Sequence, residues 1–209
     1  MVKPLVSVIT PTIPSRHELL LNRCIPSVQA QAYPKVEHVV VSEGPDPELT
    51  DKLVQLSSGK AFAHPVRYLQ LPERPEGRHW GHYARLAGIE ASRGDLIAYI
   101  DDDDALRPDH TRLLAQVLSD PALSWAYSVM ASHSHAGTHM EIGHMDPPSG
   151  GQIGTPMIMH RRETLQFGTW GPASATEDWE LVQRWLNAGL LYGRVREVTV
   201  DVWPSAYWG

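Results

Sequence analysis

The sequence predicts an α/β domain built on a mainly parallel β-sheet flanked by helices, with a small antiparallel portion in its second half. Three observations carry that expectation. Short β-branched runs alternate with segments of helical apolar spacing over residues 1–104. The runs end in loops rich in Pro, Gly, Ser or acidic residues, as buried strands feeding a crevice do. Strand, helix, strand in this order then implies right-handed crossovers and parallel pairing.

Leu5–Ile9 is the first strand and runs into Thr10, Pro11, Thr12, Ile13 and Pro14. Ser15 with Glu18 predicts a capping box, and Leu20, Leu21, Cys24, Ile25 and Val28 continue a helical apolar face that Pro26 bends. Val36–Val41 is the second strand, followed by the turn-rich Ser42, Glu43, Gly44, Pro45 and Asp46 and a short helix marked by Leu49, Leu53 and Leu56. Val66–Leu71 is the third strand, Trp80–Ser92 a helix, and Leu96–Ile100 a fourth strand that ends in four consecutive aspartates. The second half is less regular. Trp125–Met130 and Gly154–His160 read as strands, separated by a His-, Gly- and Pro-rich hairpin and mobile loop over Ser132–Gly151. Ala175–Ala188 is a helix with a second capping box at Ser174–Glu177 and a stop at Gly189, and Val198–Trp203 is the closing strand.

Composition removes whole classes of function. Hydrophobic residues make up 42% and charged ones 20% of the 209 residues, which excludes disordered and collagen-like chains. Lys and Arg number 18 against 24 Asp and Glu, a net charge of −6, so the basic footprint of a nucleic-acid binder is missing. Cys24 is the single cysteine; it excludes an intramolecular disulfide and fits a reducing compartment. MVKPLVSVIT lacks the long apolar core of a signal peptide, and no window approaches the roughly 18 apolar residues of a spanning helix. A cytoplasmic location with no transmembrane segment is expected, and a homo-oligomer stays open.

In an open parallel sheet, ligands gather beyond the carboxyl ends of the strands. The loops there hold Pro11 and Thr12, then Glu43, then Asp101, Asp102, Asp103 and Asp104. Adjacent carboxylates repel unless a cation neutralises them, and alternation along extended chain would aim Asp101 and Asp103 to one side. A hard divalent ion, Mg²⁺ or Mn²⁺, suits such a run, and an ion of this kind is commonly shared with substrate phosphates. The competing reading is a solvated acidic turn ahead of a helix starting near Pro108. A calcium loop of the EF-hand type fails, because a loop starting at Asp101 has Leu106 at its sixth position and Arg112 at its twelfth.

These segments resemble the inverting nucleotide-sugar glycosyltransferases of family 2, which have the GT-A fold with its Rossmann-like sheet. VSVITPTIPSR is similar to the family's first strand and nucleotide loop, and VEHVVVSEG to its second strand. ARLAGIEASRGDLIAYIDDDDALRPDH resembles the helix, strand and DxD metal motif, and TEDWELVQRWLNAGL the later acidic motif. The resemblance implies a single catalytic domain over 1–209, with 1–104 as the nucleotide-binding half and 105–209 as the acceptor-facing half. It implies Asp103 as principal metal ligand with Asp101, a UDP-sugar donor held by Pro11, Thr12, Glu43, Arg85, Asp101 and Asp102, and Mn²⁺ or Mg²⁺ as cofactor. Asp178 would be the general base toward an acceptor hydroxyl, with Glu177 positioning base or acceptor. Glu43 and the preceding Ser42 depart from the usual pair of aspartates, and Leu86 replaces the asparagine that often follows Arg85.

Several residues admit two readings. Trp170 and His79 are weak acceptor-site candidates, set against ordinary packing. Arg161 and Arg162 suit either a phosphate contact or a surface role. His133, His135, His139 and His144 suggest a zinc site, but no Cys or acidic partner completes a recognisable spacing. Two rival functions stay open: a phosphatase of the haloacid dehalogenase type, which Asp101 and Asp103 imitate although Ala105 stands where threonine or valine belongs, and a domain that binds nucleotide-sugar without turnover. A dinucleotide oxidoreductase is disfavoured because no GxGxxG follows the first strand. The closeness of Gly209 to the last strand predicts a small acceptor or a partner-supplied acceptor site.

Overall fold

The computed structural model describes residues 3–59, 62–77, 81–171 and 176–204. Among the described residues nine strands form one continuous sheet. The first four, β1 (Val6–Thr12), β2 (Val36–Ser42), β3 (Val66–Gln70) and β4 (Leu96–Tyr99), lie in the order β3-β2-β1-β4 and pair in parallel. Beyond β4 come β8 (Ile158–Arg161), β6 (Trp125–His133), β9 (Tyr192–Val202) and β5 (Ala105–Leu106), while β7 (His139–Ile142) pairs with β6. Here β4·β8, β6·β8, β5·β9 and β6·β7 are antiparallel and β6·β9 is parallel. The expected architecture, a parallel core with an antiparallel portion in the second half, is the one found.

β1 and β2 are buried along their whole length, which explains why they read as unbroken apolar runs rather than alternating ones. Alternate residues feed two cores. Val6, Val8, Val36, Val40, Leu96 and Ala98 meet Leu20, Cys24, Val28, Leu53 and Leu114 on one face. Ile9, Val39, Val41, Ile97 and Tyr99 meet Ala84, Ile89, Trp125, Leu181, Val182 and Trp185 on the other. On this second face α4 (His82–Ala91) lies hard against β1 at Gly88, where a Cβ would stand 2.5 Å from the Ile9 Cγ2.

The first helical segment starts at Pro14 as a 3-10 turn, so Ser15 lies inside the turn rather than capping it. It continues through α1 (His17–Leu19), a π-helical turn at Leu20–Cys24, and α2 (Ile25–Gln29). Pro26 is the physical cause of the widened turn. It has no N–H for the carbonyl four residues back and its ring crowds that carbonyl, and the Ile25 N–H reaches back five residues to the Leu20 carbonyl. α3 (Pro47–Gly59), α5 (His110–Val117) and α6 (Glu177–Asn187) are the other α-helices among the described residues.

Other differences are local. The expected strand Gly154–His160 begins as a 3-10 turn at Thr155–Met157, and β9 starts at Tyr192 rather than Val198 because it runs beside almost all of β6. Thr176 occupies the N-cap position of α6; Ser174 and Ala175 lie outside the described residues. Gly189, at φ +73°, takes the left-handed conformation that stops α6.

Candidate active site

The parallel register aligns Thr12 with Ser42 and Ile9 with Tyr99, so the loops after β1, β2 and β4 open at one edge of the sheet. Hydrogen bonds then join them. The Glu43 N–H donates to the Thr12 carbonyl at 2.8 Å, and the Thr12 hydroxyl donates to the Asp102 Oδ2 at 2.7 Å. Thr12 therefore supports the acidic run through its side chain as well as offering backbone. Glu43 is buried, and Pro11 is packed from above by Gly81, the N-cap of α4, whose φ of +79° and lack of Cβ permit the approach. His79, with Arg78 and Trp80, lies outside the described residues.

The four aspartates form a turn, closed by the Asp104 N–H on the Asp101 carbonyl at 3.2 Å, rather than extended chain. The carboxylates are divided between two cations. The Arg16 guanidinium lies 2.8 Å from Asp102 and 3.2 Å from Asp103, whereas Asp101 receives the Arg85 Nη2 at 2.8 Å. Arg23 donates to the Asp103 carbonyl at 2.5 Å and stacks on Trp203 at 4.1 Å, with His133 parallel to Trp203 at 4.8 Å. Burial pushes the Asp102 carboxyl up to about 6, against the pull of Arg16 and Thr12. Burial and the neighbouring Asp101 and Asp103 carry Asp104 well above the usual carboxylate range.

Arg85 links the donor-side loop to the start of α6. Its Nη2 holds Asp101 and its Nη1 donates to the Glu177 Oε1, although the two carboxylates are 76 residues apart in sequence. Burial works against the guanidinium charge, and Asp101 and Glu177 more than offset it, so its pKa stays raised. Trp170 lies under the guanidinium at 4.9 Å and edge-on to Tyr99 at 5.0 Å. At 2% exposure, Trp170 supports Arg85 and is not an open aromatic face for an acceptor.

Burial raises Glu177 to about 7, partly countered by Arg85 and reinforced by Asp101 and Asp178. Its Oε2 is buried with no hydrogen-bond partner among the described residues. Burial also raises the adjacent Asp178, while the Trp179 N–H, 2.7 Å from its Oδ1, works the other way. A carboxylate made more basic in this way is better matched to accept a proton near neutral pH.

Among the described residues no three His, Cys, Asp or Glu side chains group closely enough to hold a metal ion alone. Hard divalent ions are commonly held by one or two carboxylates plus substrate phosphates, and the donor set fits that partial role. The Asp101 side chain is 33% exposed and that of Asp103 10%, whereas both Asp102 oxygens already have protein partners.

The remaining candidates have structural duties. Arg161 caps the chain after α5 through the Leu118, Asp120 and Leu123 carbonyls, and Arg162 caps the end of α4 through the Ile89 and Gly94 carbonyls and the Ser92 hydroxyl. His133, the last residue of β6, bonds to Asp201 of β9, and His144, past the end of β7, bonds to Glu141; among the described residues neither belongs to a group that could hold a metal ion. Arg16 closes the segment VSVITPTIPSR but is given no role there, and Arg23, a single arginine in a helical segment, carries no spacing signature.

Residues 7–174 match the family model described as "Glycosyl transferase family 2". An N-acetylglucosaminyltransferase from Rhizobium sp. (strain N33) is 29% identical over 136 residues, 65% of this chain and 29% of that protein. The chain thus spans under a third of the length of this relative. S. aureus TarS in complex with UDP-GlcNAc superposes with a TM-score of 0.73 at 16% identity, over 96% of this chain and 58% of that one. The mannosyltransferase PcManGT from Pyrobaculum calidifontis, in complex with GDP-Man and Mn²⁺, gives a TM-score of 0.69 at 16% identity over 96% and 57% of the two chains. At such identities these structures establish a shared GT-A fold.

Proposed function

The chain belongs to glycosyltransferase family 2, and we propose that it transfers a sugar, with inversion, from a nucleoside-diphosphate donor to an acceptor hydroxyl. The observation that carries this reading is the Arg85 bridge. One buried guanidinium ties Asp101 to Glu177, the sequence neighbour of Asp178. UDP is the nucleotide favoured, because TarS is seen with UDP-GlcNAc and the Rhizobium relative is an N-acetylglucosaminyltransferase.

In this reading Pro11, Thr12 and Glu43 line the nucleotide, and Asp102 anchors the loop. Asp103, with Asp101, would hold Mn²⁺ or Mg²⁺, which supplies Lewis-acid stabilisation of the leaving diphosphate when bound. Arg85 adds a fixed positive charge near the same place. Asp178 takes the proton of the acceptor hydroxyl as that oxygen bonds to the anomeric carbon and the bond to the diphosphate breaks. Glu177 orients Asp178 or the acceptor. Family membership favours this over the phosphatase reading.

The test is donor turnover, followed as release of UDP from UDP-GlcNAc with Mn²⁺. Asp178→Asn should lower turnover by about 10²- to 10⁴-fold, the usual contribution of a positioned base, and leave UDP affinity unchanged. Undiminished turnover in Asp178→Asn would remove Asp178 from the role of base.

A further inference from the structure

Trp203 directly follows β9, and its surroundings tie the last strand to the acidic turn. β5 begins at the residue after Asp104 and pairs antiparallel with β9, Ala105 opposite Asp201 and Leu106 opposite Val200. The chain leaving β9 therefore reaches the turn, and the Trp203 N–H donates to the Asp104 Oδ1 at 3.1 Å. Two groups meet the indole: the Arg23 guanidinium lies over the ring at 4.1 Å, and the His133 imidazole stacks at 4.8 Å, 11° from parallel. The His133 Nε2 is 2.9 Å from the Asp201 Oδ1, and Asp201 also accepts from the Arg107 Nε and Nη2, each at 2.9 Å. Arg23 comes from the π-helical turn Leu20–Cys24, and its Nη1 donates to the Asp103 carbonyl at 2.5 Å. A long arginine side chain loses much rotamer freedom when it is held in one place. Stacking on an aromatic face fixes the guanidinium plane and leaves its N–H edges free to donate.

We propose that Trp203 is a positioning residue for the acidic turn. Its ring holds the Arg23 guanidinium on the Asp103 carbonyl while its backbone N–H holds the Asp104 side chain, so the end of β9 sets the shape of the turn that meets the donor's diphosphate. Trp203 acts on the turn backbone through Arg23, and Arg23 depends on the ring for its orientation. The two residues form one chain of contacts that a change at either end breaks. This inference rests on the donor reading above.

Calorimetric titration of the full chain with UDP in Mn²⁺ reads the role. Trp203→Leu keeps an apolar side chain but has no π face, and should bind UDP about tenfold more weakly than wild type, equivalent to about 1.4 kcal/mol and within reach of a partly buried cation–π contact. Trp203→Phe restores a ring and should return UDP affinity to within about threefold of wild type. Arg23→Gln should show the same loss as Trp203→Leu, and the double variant should lose no more than either alone, because both break one chain of contacts. Trp203→Phe no better than Trp203→Leu would mean that the ring only fills space, and additive losses that Arg23 and Trp203 act separately. Either result overturns the inference, as does unchanged UDP affinity in Trp203→Leu. If Trp203→Leu does not fold, Arg23→Gln made in wild type and in Trp203→Phe carries the test, and unchanged UDP affinity in both overturns it. A wild type that binds no UDP overturns the donor reading and this inference with it, whereas a failure confined to the variants leaves the donor reading standing.

Discussion

Glu177→Gln is a direct probe of the buried charge bridge. The carboxyl is 6% exposed and its pKa rises from the ordinary 4.5 to about 7 in the folded chain. The folded state therefore favours the protonated form, and the stability this contributes is complete below about 4.5 and lost as pH rises to about 7. A shift of that size, at about 1.36 kcal/mol per pKa unit, corresponds to up to about 3 kcal/mol. Gln mimics the neutral acid at every pH, so its stability lacks this loss. Urea unfolding of both proteins from pH 4.5 to 8.5 measures the difference. The variant should gain up to about 3 kcal/mol on wild type across the window, about 1.5 M in midpoint for a slope of roughly 2 kcal/mol/M. Buried His38 and His110, lowered to about 3, and His160, lowered to about 4, act in the opposite sense. They contribute stability above about pH 6.5 that is lost on acidification, and they cancel in the difference. A pH-independent difference would refute the argument that burial dominates at Glu177.

Two further outcomes follow from the same geometry. Arg85→Met leaves Asp101 and Glu177 without their shared cation, and should cost about 3–5 kcal/mol at pH 8 by urea unfolding and less at pH 6, where Glu177 takes a proton. Gly81→Ala places a methyl 2.8 Å from Pro11 on backbone at φ +79°. It should cost at least about 1–2 kcal/mol in thermal unfolding and weaken UDP binding by displacing Pro11.

Most of the parallel core was legible because strands buried on both faces leave continuous β-branched runs, as in Val36–Val41 and Leu96–Ile100. The crevice was legible because a parallel sheet has only one edge at which its strand ends open, and Thr12, Glu43 and Asp102 do meet there. Pairing within the acidic run was not. A turn replaced the expected alternation because Arg16 and Arg85, from distant segments, each claimed different aspartates. Of the two readings of Trp170, acceptor contact or packing, the structure takes packing, its buried ring lying beneath Arg85. Arg161 and Arg162 admitted a phosphate contact or a surface role, and instead helix-end carbonyls drew them inward.

The most direct measurement is the melting temperature of wild type and Asp103→Ala with UDP, GDP, CDP or dTDP, each with Mn²⁺ or with EDTA. A nucleotide at about 100 times its Kd stabilises by roughly 2.7 kcal/mol, or about 5–10 °C for a chain of this size. Wild type should show that shift with UDP only when Mn²⁺ is present, and Asp103→Ala should lose it. No shift with any nucleotide, or the same shift in EDTA and in Asp103→Ala, would contradict a metal-assisted donor site at Asp103.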